Sequence, residues 1–180
     1  MAQASGRYAV DTVLGQVFHG STAVGGVALA AYNATAHTFG LWNPLGSGKN
    51  AYLISCQIGF VSGTITPSNF TYSYQLNVGA QVATGGSITA GTFAAPLNGL
   101  LGGGQSSVMK FAPATVTLAA ASLLFRTMGV TMLTTAASTY MQAYENFDGT
   151  VIIPPGVFFA VTTNVASGVT ADVSLVWEEV

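Results

Sequence analysis

The chain has 180 residues and is half hydrophobic, yet only four residues are Lys or Arg and six are Asp or Glu, giving a net charge of −2. So few cations cannot follow a phosphate backbone, which argues against a nucleic-acid partner, and the longest apolar stretch, 116–125, is too short for a membrane helix, which needs about 20 residues. A surface with few charges loses little hydration when it meets another protein, so the composition predicts a non-enzymatic subunit that works in contact with other subunits.

The first predicted element is an extended N-terminal arm, residues 1–12, because this stretch has no hydrophobic periodicity. A single domain follows over residues 13–180, and its first strand lies within 13–22. The N-terminus has no apolar core typical of a secretion signal, so we expect the protein to be made in a cytoplasm.

Period-two alternation then predicts a series of strands. The clearest cover 52–60 and 70–78, where apolar residues alternate with polar or small ones. The segment 79–104 is rich in small residues and gives no clear pattern. Later strands are predicted at these positions: 108–111, 123–133, 149–153, 157–164 and 171–178.

Two predictions concern how these later segments are connected. The last two strands should form a hairpin across the Ala-Ser-Gly turn at 166–168, because small residues with Gly are typical of such turns. Residues 136–144 are predicted to form a loop or a single helical turn.

The whole pattern gives eight to ten strands and no alternation of strands with helices. Each strand has one apolar face to bury, so an antiparallel arrangement of two packed sheets is the economical solution. We therefore predict an all-β fold: an antiparallel β-sandwich of the jelly-roll type, with the N-terminal arm outside it.

The sequence offers no cofactor site, no metal site and no catalytic constellation. The Gly-Ser-Gly-Lys run at 46–49 departs from a phosphate-binding loop, because Asn50 follows Lys49 and Asn43 replaces the first Gly. The single cysteine, Cys56, lies in a strand-like run without a cation nearby in sequence and is predicted to be a buried structural thiol.

Several polar residues have alternative interpretations. His19 and His37 are isolated and are typical of hydrogen-bonded strand or loop residues, but they could titrate near neutral pH at an interface. The adjacent acids Glu178 and Glu179 should point to opposite faces of a strand, as a charged end that faces water. Glu145 and Asp148 are expected in a loop, where they could bind a cation or cap a turn.

Two stretches carry a resemblance to a known family. Residues 147–156 (FDGTVIIPPG) precede a final strand ending SLVWEE, and residues 41–48 (LWNPLGSG) lead into a strand ending GFVSG. These stretches, about a third of the chain, resemble the jelly-roll capsid decoration (cement) proteins and related head or tail accessory proteins of tailed bacteriophages. The resemblance implies a virion role, often as a trimer on the shell, without identifying the position in the virion. Together with the low charge, it leads us to predict a protein of the capsid surface, a homotrimer that binds and stabilises the lattice of the major capsid protein.

The predicted contact residues are those of the arm and of the long neutral loops at 85–105. Within the arm they are Ala4, Ser5, Gly6, Arg7, Tyr8, Ala9 and Val10. Two alternatives stay open. One is another virion component (a tail, neck or fibre-base protein, or a coat subunit). The other is a carbohydrate-binding β-sandwich, in which aromatic side chains such as Trp42, Tyr72, Tyr74 and Tyr144 would stack on sugars, although core packing explains alternating aromatic residues more simply.

Overall fold

The computed structural model describes residues 6, 8–64, 67–79, 88–132, 142–166 and 168–180. These residues form one short helix and fourteen strands. The elements are α1 (Ala9–Val13), β1 (Val17–Ser21), β2 (Val27–Ala28), β3 (Ala36–His37), β4 (Gly40–Asn43), β5 (Ala51–Thr64), β6 (Ser68–Gln75), β7 (Ile88–Gly91), β8 (Leu97–Asn98), β9 (Lys110–Ala112), β10 (Val116–Leu118), β11 (Leu123–Met132), β12 (Gln142–Ile153), β13 (Val157–Thr163) and β14 (Gly168–Glu179).

The strands form three sheets, and every strand pair within them is antiparallel, which confirms the all-β antiparallel prediction. Sheet A has the order β12-β5-β14-β1-β8, with β2 also pairing β14. Sheet B has the order β11-β6-β13-β4-β9, and the small sheet C has the order β3-β10-β7. Among the described residues, no helix has the length and apolar character needed to cross a membrane.

The main core lies between sheets A and B, as in a β-sandwich. One face of each sheet contributes large apolar side chains that are almost fully shielded from solvent. Stacked and edge-on aromatic pairs join the two faces; Tyr72 of sheet B, for example, lies 5.3 Å from the ring of Phe147 of sheet A. The largest of these side chains are Phe18, Leu53, Phe147 and Trp177 from sheet A and Leu41, Phe70, Tyr72 and Phe159 from sheet B.

A second apolar cluster covers the outer face of sheet B. Phe158 of β13 and Trp42 of β4 pack there against Ile88 and Val116 of sheet C. As a result all seven residues of β13 are buried, on both faces of the strand. The outer face of β6 is buried as well, although its Thr and Ser residues alternate as on a solvent face; Thr71 and Thr162 satisfy one another with hydroxyls 2.8 Å apart. Sheet C therefore turns an apparently half-exposed sheet into the middle layer of the molecule.

The predicted hairpin of the last two strands is wrong. β13 pairs with β4 and β6 in sheet B, whereas β14 pairs with β1, β2 and β5 in sheet A. The last two strands thus lie in different sheets. A turn signal fixes only that the chain reverses, and the partner of each strand is decided by contacts far away in sequence.

The prediction for 136–144 is wrong for the residues that the structure describes. Gln142, Ala143 and Tyr144 begin the twelve-residue strand β12, and residues 136–141 lie outside the described part. The predicted short strand at 149–153 is the end of this same strand. The two halves are joined by a bulge in which Asp148 and Gly149 have φ angles of 50° and 77°, so an Asp-Gly pair typical of a turn lies inside a strand.

The burial of β13 on both faces leads to a test by mutation. Phe158→Ala should lower the free energy of unfolding by about 3–5 kcal/mol, because it opens a cavity in a closed apolar layer. The measurement is urea denaturation followed by tryptophan fluorescence. Leu76→Ala, at a side chain that is 53% exposed, is the control and should change the free energy by less than about 0.5 kcal/mol. A similarly small change for Phe158→Ala would mean that sheet C does not cover this face in solution.

Candidate functional site

The predicted interface residues at the N-terminus are only partly described. Three of the seven lie outside the described residues: Ala4, Ser5 and Arg7. Gly6 is exposed, Tyr8 and Ala9 are partly exposed, and the Val10 side chain is 61% exposed. The segment is not patternless throughout, since Ala9 begins a five-residue helix within the predicted arm.

This helix is held against the sandwich at its beginning and presents apolar side chains outward. The Tyr8 hydroxyl donates a hydrogen bond of 2.9 Å to Asp148 Oδ1, at the bulge of β12. None of the helix residues is buried, and Val13 and Leu14 are more than half exposed. Apolar side chains at such positions contribute little to the stability of a monomer and are available for contact with another surface.

A second apolar segment lies beside the first. β8 is the edge strand of sheet A, and its Asn98 joins the two segments: the Nδ2 amide donates to Gly15 O at 2.8 Å and to Gln105 O at 3.1 Å. Leu97 and Leu101 flank Asn98 and are 71% and 90% exposed. We call Val10, Val13, Leu14, Leu97 and Leu101 the apolar edge.

The predicted loops at 85–105 are more regular than expected. Residues 85–87 lie outside the described part, and β7 and β8 account for two stretches of the rest. The segment that follows β8 is fastened by a buried carboxylate rather than left free. Glu179 Oε2 accepts a hydrogen bond of 3.0 Å from the Val108 amide, and its Oε1 accepts one from the Ser107 hydroxyl.

Glu179 therefore corrects one of the sequence predictions. Glu178 and Glu179 do point to opposite faces of β14, but Glu179 is fully buried instead of facing water. Its Oε1 also accepts a hydrogen bond of 3.1 Å from Trp177 Nε1. Three donors around one carboxylate compensate much of the cost of burying it, and they tie the loop before β9 to the centre of sheet A.

The two histidines have different environments. His37 is fully buried beneath Phe158, and its Nε2 lies 2.8 Å from the Ser122 hydroxyl. Burial lowers the pKa of His37 to about 4, so this residue does not meet the expectation of a histidine that titrates near neutral pH at an interface. His19 lies exposed on β1, next to Leu97, and partial burial lowers its pKa too.

The Ser122–His37 contact pairs a hydroxyl with an imidazole, as nucleophilic catalysis requires, but both side chains are inside the protein. Ser122 is 4% exposed, so a substrate carbonyl cannot reach its oxygen in this conformation. Cys56 is fully buried, as predicted, and burial raises its pKa to about 12, which disfavours the reactive thiolate.

The acidic residues expected in a loop are engaged within the fold. Glu145 of β12 forms an ion pair with Arg126 of β11, which joins the edges of sheets A and B. The Arg126 guanidinium also lies 5.2 Å from the centre of the Phe147 ring, a distance suited to a cation–π contact. Asp148 is the acceptor for Tyr8. Within the described residues, no group of three His, Cys, Asp or Glu side chains is placed to hold a metal ion.

The aromatic side chains considered for sugar stacking divide into two classes. Trp42 and Tyr72 are buried, and Trp42 Nε1 donates to Val78 O at 3.3 Å, so neither can stack on a ligand. Tyr74 is partly buried and packs edge-on against Phe125. Tyr144 is 62% exposed and lies at one side of an open groove.

This groove, of about 510 Å³, lies on the outer face of sheet A. Its floor consists of outward residues of β12, β5 and β14, and one wall is the loop after β1, which includes Thr22 and Val24. The loop can approach the sheet closely because Gly26 has no side chain: at this position, with φ 70°, a Cβ atom would come within 2.6 Å of Ala171 O. No sequence signal marks the groove except the exposed Tyr144, since the wall exists only because the chain leaves the sheet between β1 and β2.

We call Glu179 with its three hydrogen-bond donors, from Ser107, Val108 and Trp177, the clamp around Glu179. A matched pair of variants tests its contribution to stability. Glu179→Gln should lower the free energy of unfolding by about 1–3 kcal/mol, because an amide replaces one acceptor oxygen with a donor that faces other donors. Glu178→Gln removes the same charge from the opposite, partly exposed face of β14 and should cost less than Glu179→Gln, because interactions of partly exposed charges are weaker. Urea denaturation of both variants measures the difference, and equal effects would contradict the assigned role of Glu179.

Burial of His37 predicts a dependence of stability on pH. The pKa of this imidazole is about 4 in the folded state and 6.5 in the unfolded state, so the unfolded state binds a proton first on acidification. Stability should therefore fall between about pH 6.5 and 4, with a slope of up to about 1.4 kcal/mol per pH unit. Denaturation at several pH values should show a shallower slope for His37→Gln than for His19→Gln. Identical slopes would show that His37 is not buried in its neutral form.

Known proteins offer no template for these surfaces. No protein-family model, no curated protein and no solved structure matches the chain significantly. Three features of the described residues therefore have to be interpreted by their own chemistry: the apolar edge, the clamp around Glu179 and the groove on sheet A.

Proposed function

We propose that this chain is a non-catalytic virion protein: a capsid decoration protein of a tailed bacteriophage that binds the lattice of the major capsid protein as a homotrimer. In this proposal the fold is a jelly roll, the protein is made in the host cytoplasm, and its final location is the capsid surface. The observation that carries the proposal is the apolar edge, which leaves five large aliphatic side chains in water on an otherwise almost uncharged protein.

The strand order supports the jelly-roll part of the proposal. Eight strands form two interlocked groups, β12-β5-β14-β1 in sheet A and β11-β6-β13-β4 in sheet B. Strands that are adjacent in the chain lie in opposite sheets at β4–β5, β5–β6 and β13–β14. Such alternation is what two Greek keys folded into a double sheet require, and that architecture is common in viral shell proteins.

The apolar edge supports an assembled state. Leu101 is 90% exposed and Leu97 is 71% exposed. Leucine side chains exposed to this extent do not stabilise a monomer. Burial of such side chains against another protein contributes roughly 25 cal/mol per Å² of apolar area. The α1 helix begins within the predicted arm, so the arm and the apolar edge can take part in the same contact. Around a threefold axis, one contact of this kind repeats and closes a ring.

The low charge supports the stabilising role. A protein that binds the assembled lattice better than free subunits shifts the equilibrium toward the intact shell by mass action. Because few charged groups must lose water when this surface docks, the desolvation cost of that contact is small. The tail, neck, fibre-base and coat alternatives share these features, and the test below separates them by where the protein binds.

The test has two measurements on the purified protein. Light scattering after gel filtration should give a mass near three times 18.3 kDa. Sedimentation with purified heads of the encoding phage, stripped of accessory proteins, should then recover the protein in the pellet. Leu101→Lys should weaken both trimer and head binding, since an ammonium replaces an apolar contact, whereas Leu76→Lys, at an exposed position just after β6, should change neither.

The deletion of residues 2–10 tests the arm separately. A truncated protein that folds and still binds heads with undiminished affinity would show that the arm is not part of the contact. A stable monomer that stays in the supernatant with heads would contradict the decoration role itself. Binding confined to tails or to the head–tail junction would instead select another virion component.

A further inference from the structure

The groove on sheet A has a floor of neutral polar side chains in a straight row. Tyr144 on β12 lies directly beside Gln57 on β5. Gln57 in turn lies beside Ser174 on β14, and Ser174 lies beside Ser21 on β1. With strands roughly 4.8 Å apart, the row spans roughly 14 Å, which is longer than a single sugar ring.

A gap in the neighbouring row gives the groove its depth. Gln142, Gly59 and Asp172 are side by side on the same three strands. A Cβ on Gly59 would meet no atom within 4 Å, so the space above this residue is open. The missing side chain leaves a depression between the Gln142 amide and the Asp172 carboxylate.

Asp172 is fixed by the loop that forms the wall. The Thr22 hydroxyl donates to Asp172 Oδ1 at 3.4 Å and accepts from the Val173 amide at 3.2 Å. This arrangement leaves Oδ2 of Asp172 available to a ligand. Among the described residues, the side-chain amides of Gln57 and Gln142 likewise have no hydrogen-bond partner within the protein.

We propose that this groove binds a neutral oligosaccharide. Amides and hydroxyls both donate and accept hydrogen bonds, which matches the hydroxyl groups of a sugar, and the Asp172 carboxylate adds a strong acceptor. Tyr144, exposed at the end of the row, offers a ring face with negative electrostatic potential to the weakly positive C–H groups of a pyranose. The proposal is independent of the decoration role and adds a second binding function to the same chain.

The lining disfavours other classes of ligand. Among the described residues that line it there is no Lys, Arg or His, so a sulfated, phosphorylated or sialylated ligand would meet Asp172 with no compensating cation from them. Pockets for apolar small molecules are lined mainly by large apolar and aromatic side chains. The outward side chains here include two amides, several hydroxyls and one carboxylate, beside Val24 and Tyr144. A peptide that adds a strand would pair with the backbone at a sheet edge, whereas this groove is formed by side chains on the face of sheet A.

The experiment uses the intact protein. An immobilised array of neutral, sialylated and sulfated oligosaccharides identifies bound glycans, and the strongest neutral one is titrated by calorimetry. Tyr144→Ala should raise the Kd for this glycan by about tenfold or more, because the ring face is lost. Gly59→Leu keeps every polar group but fills the depression, and it should abolish binding. Tyr52→Ala, a partly exposed tyrosine on β5 outside the groove, is the matched control and should leave the Kd unchanged.

Each other outcome overturns the proposal. Absence of any neutral glycan bound more tightly than about 1 mM would exclude the groove as a carbohydrate site. A preference for sialylated or sulfated glycans would contradict the neutral class. Neutral binding that survives both Tyr144→Ala and Gly59→Leu, with thermal melting confirming that the variants are folded, would place the site elsewhere. Light scattering reports on the trimer separately, so failure of one proposal is distinguishable from failure of the other.

Discussion

The double-sided burial of β13 is the constraint on which the rest of the structure depends. This strand holds Phe159 in the core between sheets A and B and Phe158 in the layer beneath sheet C. Because β13 also pairs with β4 and β6, it fixes the position of both neighbours. β13 thus contributes to both apolar clusters, and a chain of modest length builds three layers around it.

Charged side chains have an unusual role in this molecule. Arg126 and Glu145 join the edges of the two large sheets, and Glu179 gathers three hydrogen-bond donors from β14 and the loop before β9. In most soluble domains such residues mainly keep the surface hydrated. Here several of the few available charges connect one element to another, and the surface is left to amides, hydroxyls and glycines. The apolar edge and the neutral groove are both consequences of that distribution.

The sequence predicted strands where one face meets the core and the other meets water. β5 and β14 follow that rule, and their alternation marks them clearly. The rule failed for β6, since Thr71 and Ser73 look like solvent-facing residues but are buried. It also gave no sign of sheet C, whose strands are only two to four residues long. Local patterns also could not assign β13 and β14 to different sheets, because that choice depends on partners distant in the chain.

The candidate sites were predictable to different degrees. Tyr144 was identifiable as an aromatic residue, but its exposure depends on the strand that replaces the expected loop. The clamp of Glu179 on Ser107 and Val108 joins residues far apart in sequence, and no spacing signals it. The groove forms because the loop after β1 leaves the sheet and Gly59 lacks a side chain. The course of that loop depends on the tertiary structure. Contacts of this kind follow from the tertiary fold and cannot be read from local composition.

The position of β14 in sheet A has a consequence for how the protein is made. β14 lies between β5 and β1, yet it is synthesised long after both of them. Until it emerges, β1 has no neighbour on its inner side and β5 lacks a partner on one edge, so the first half of the chain exposes unpaired strand edges on the ribosome. Sheets that depend on such distant pairings form slowly, and slow closure leaves time for aggregation. Because few charged residues keep the unpaired chain apart from its neighbours, we expect chaperones or a low synthesis temperature to raise the yield of folded protein.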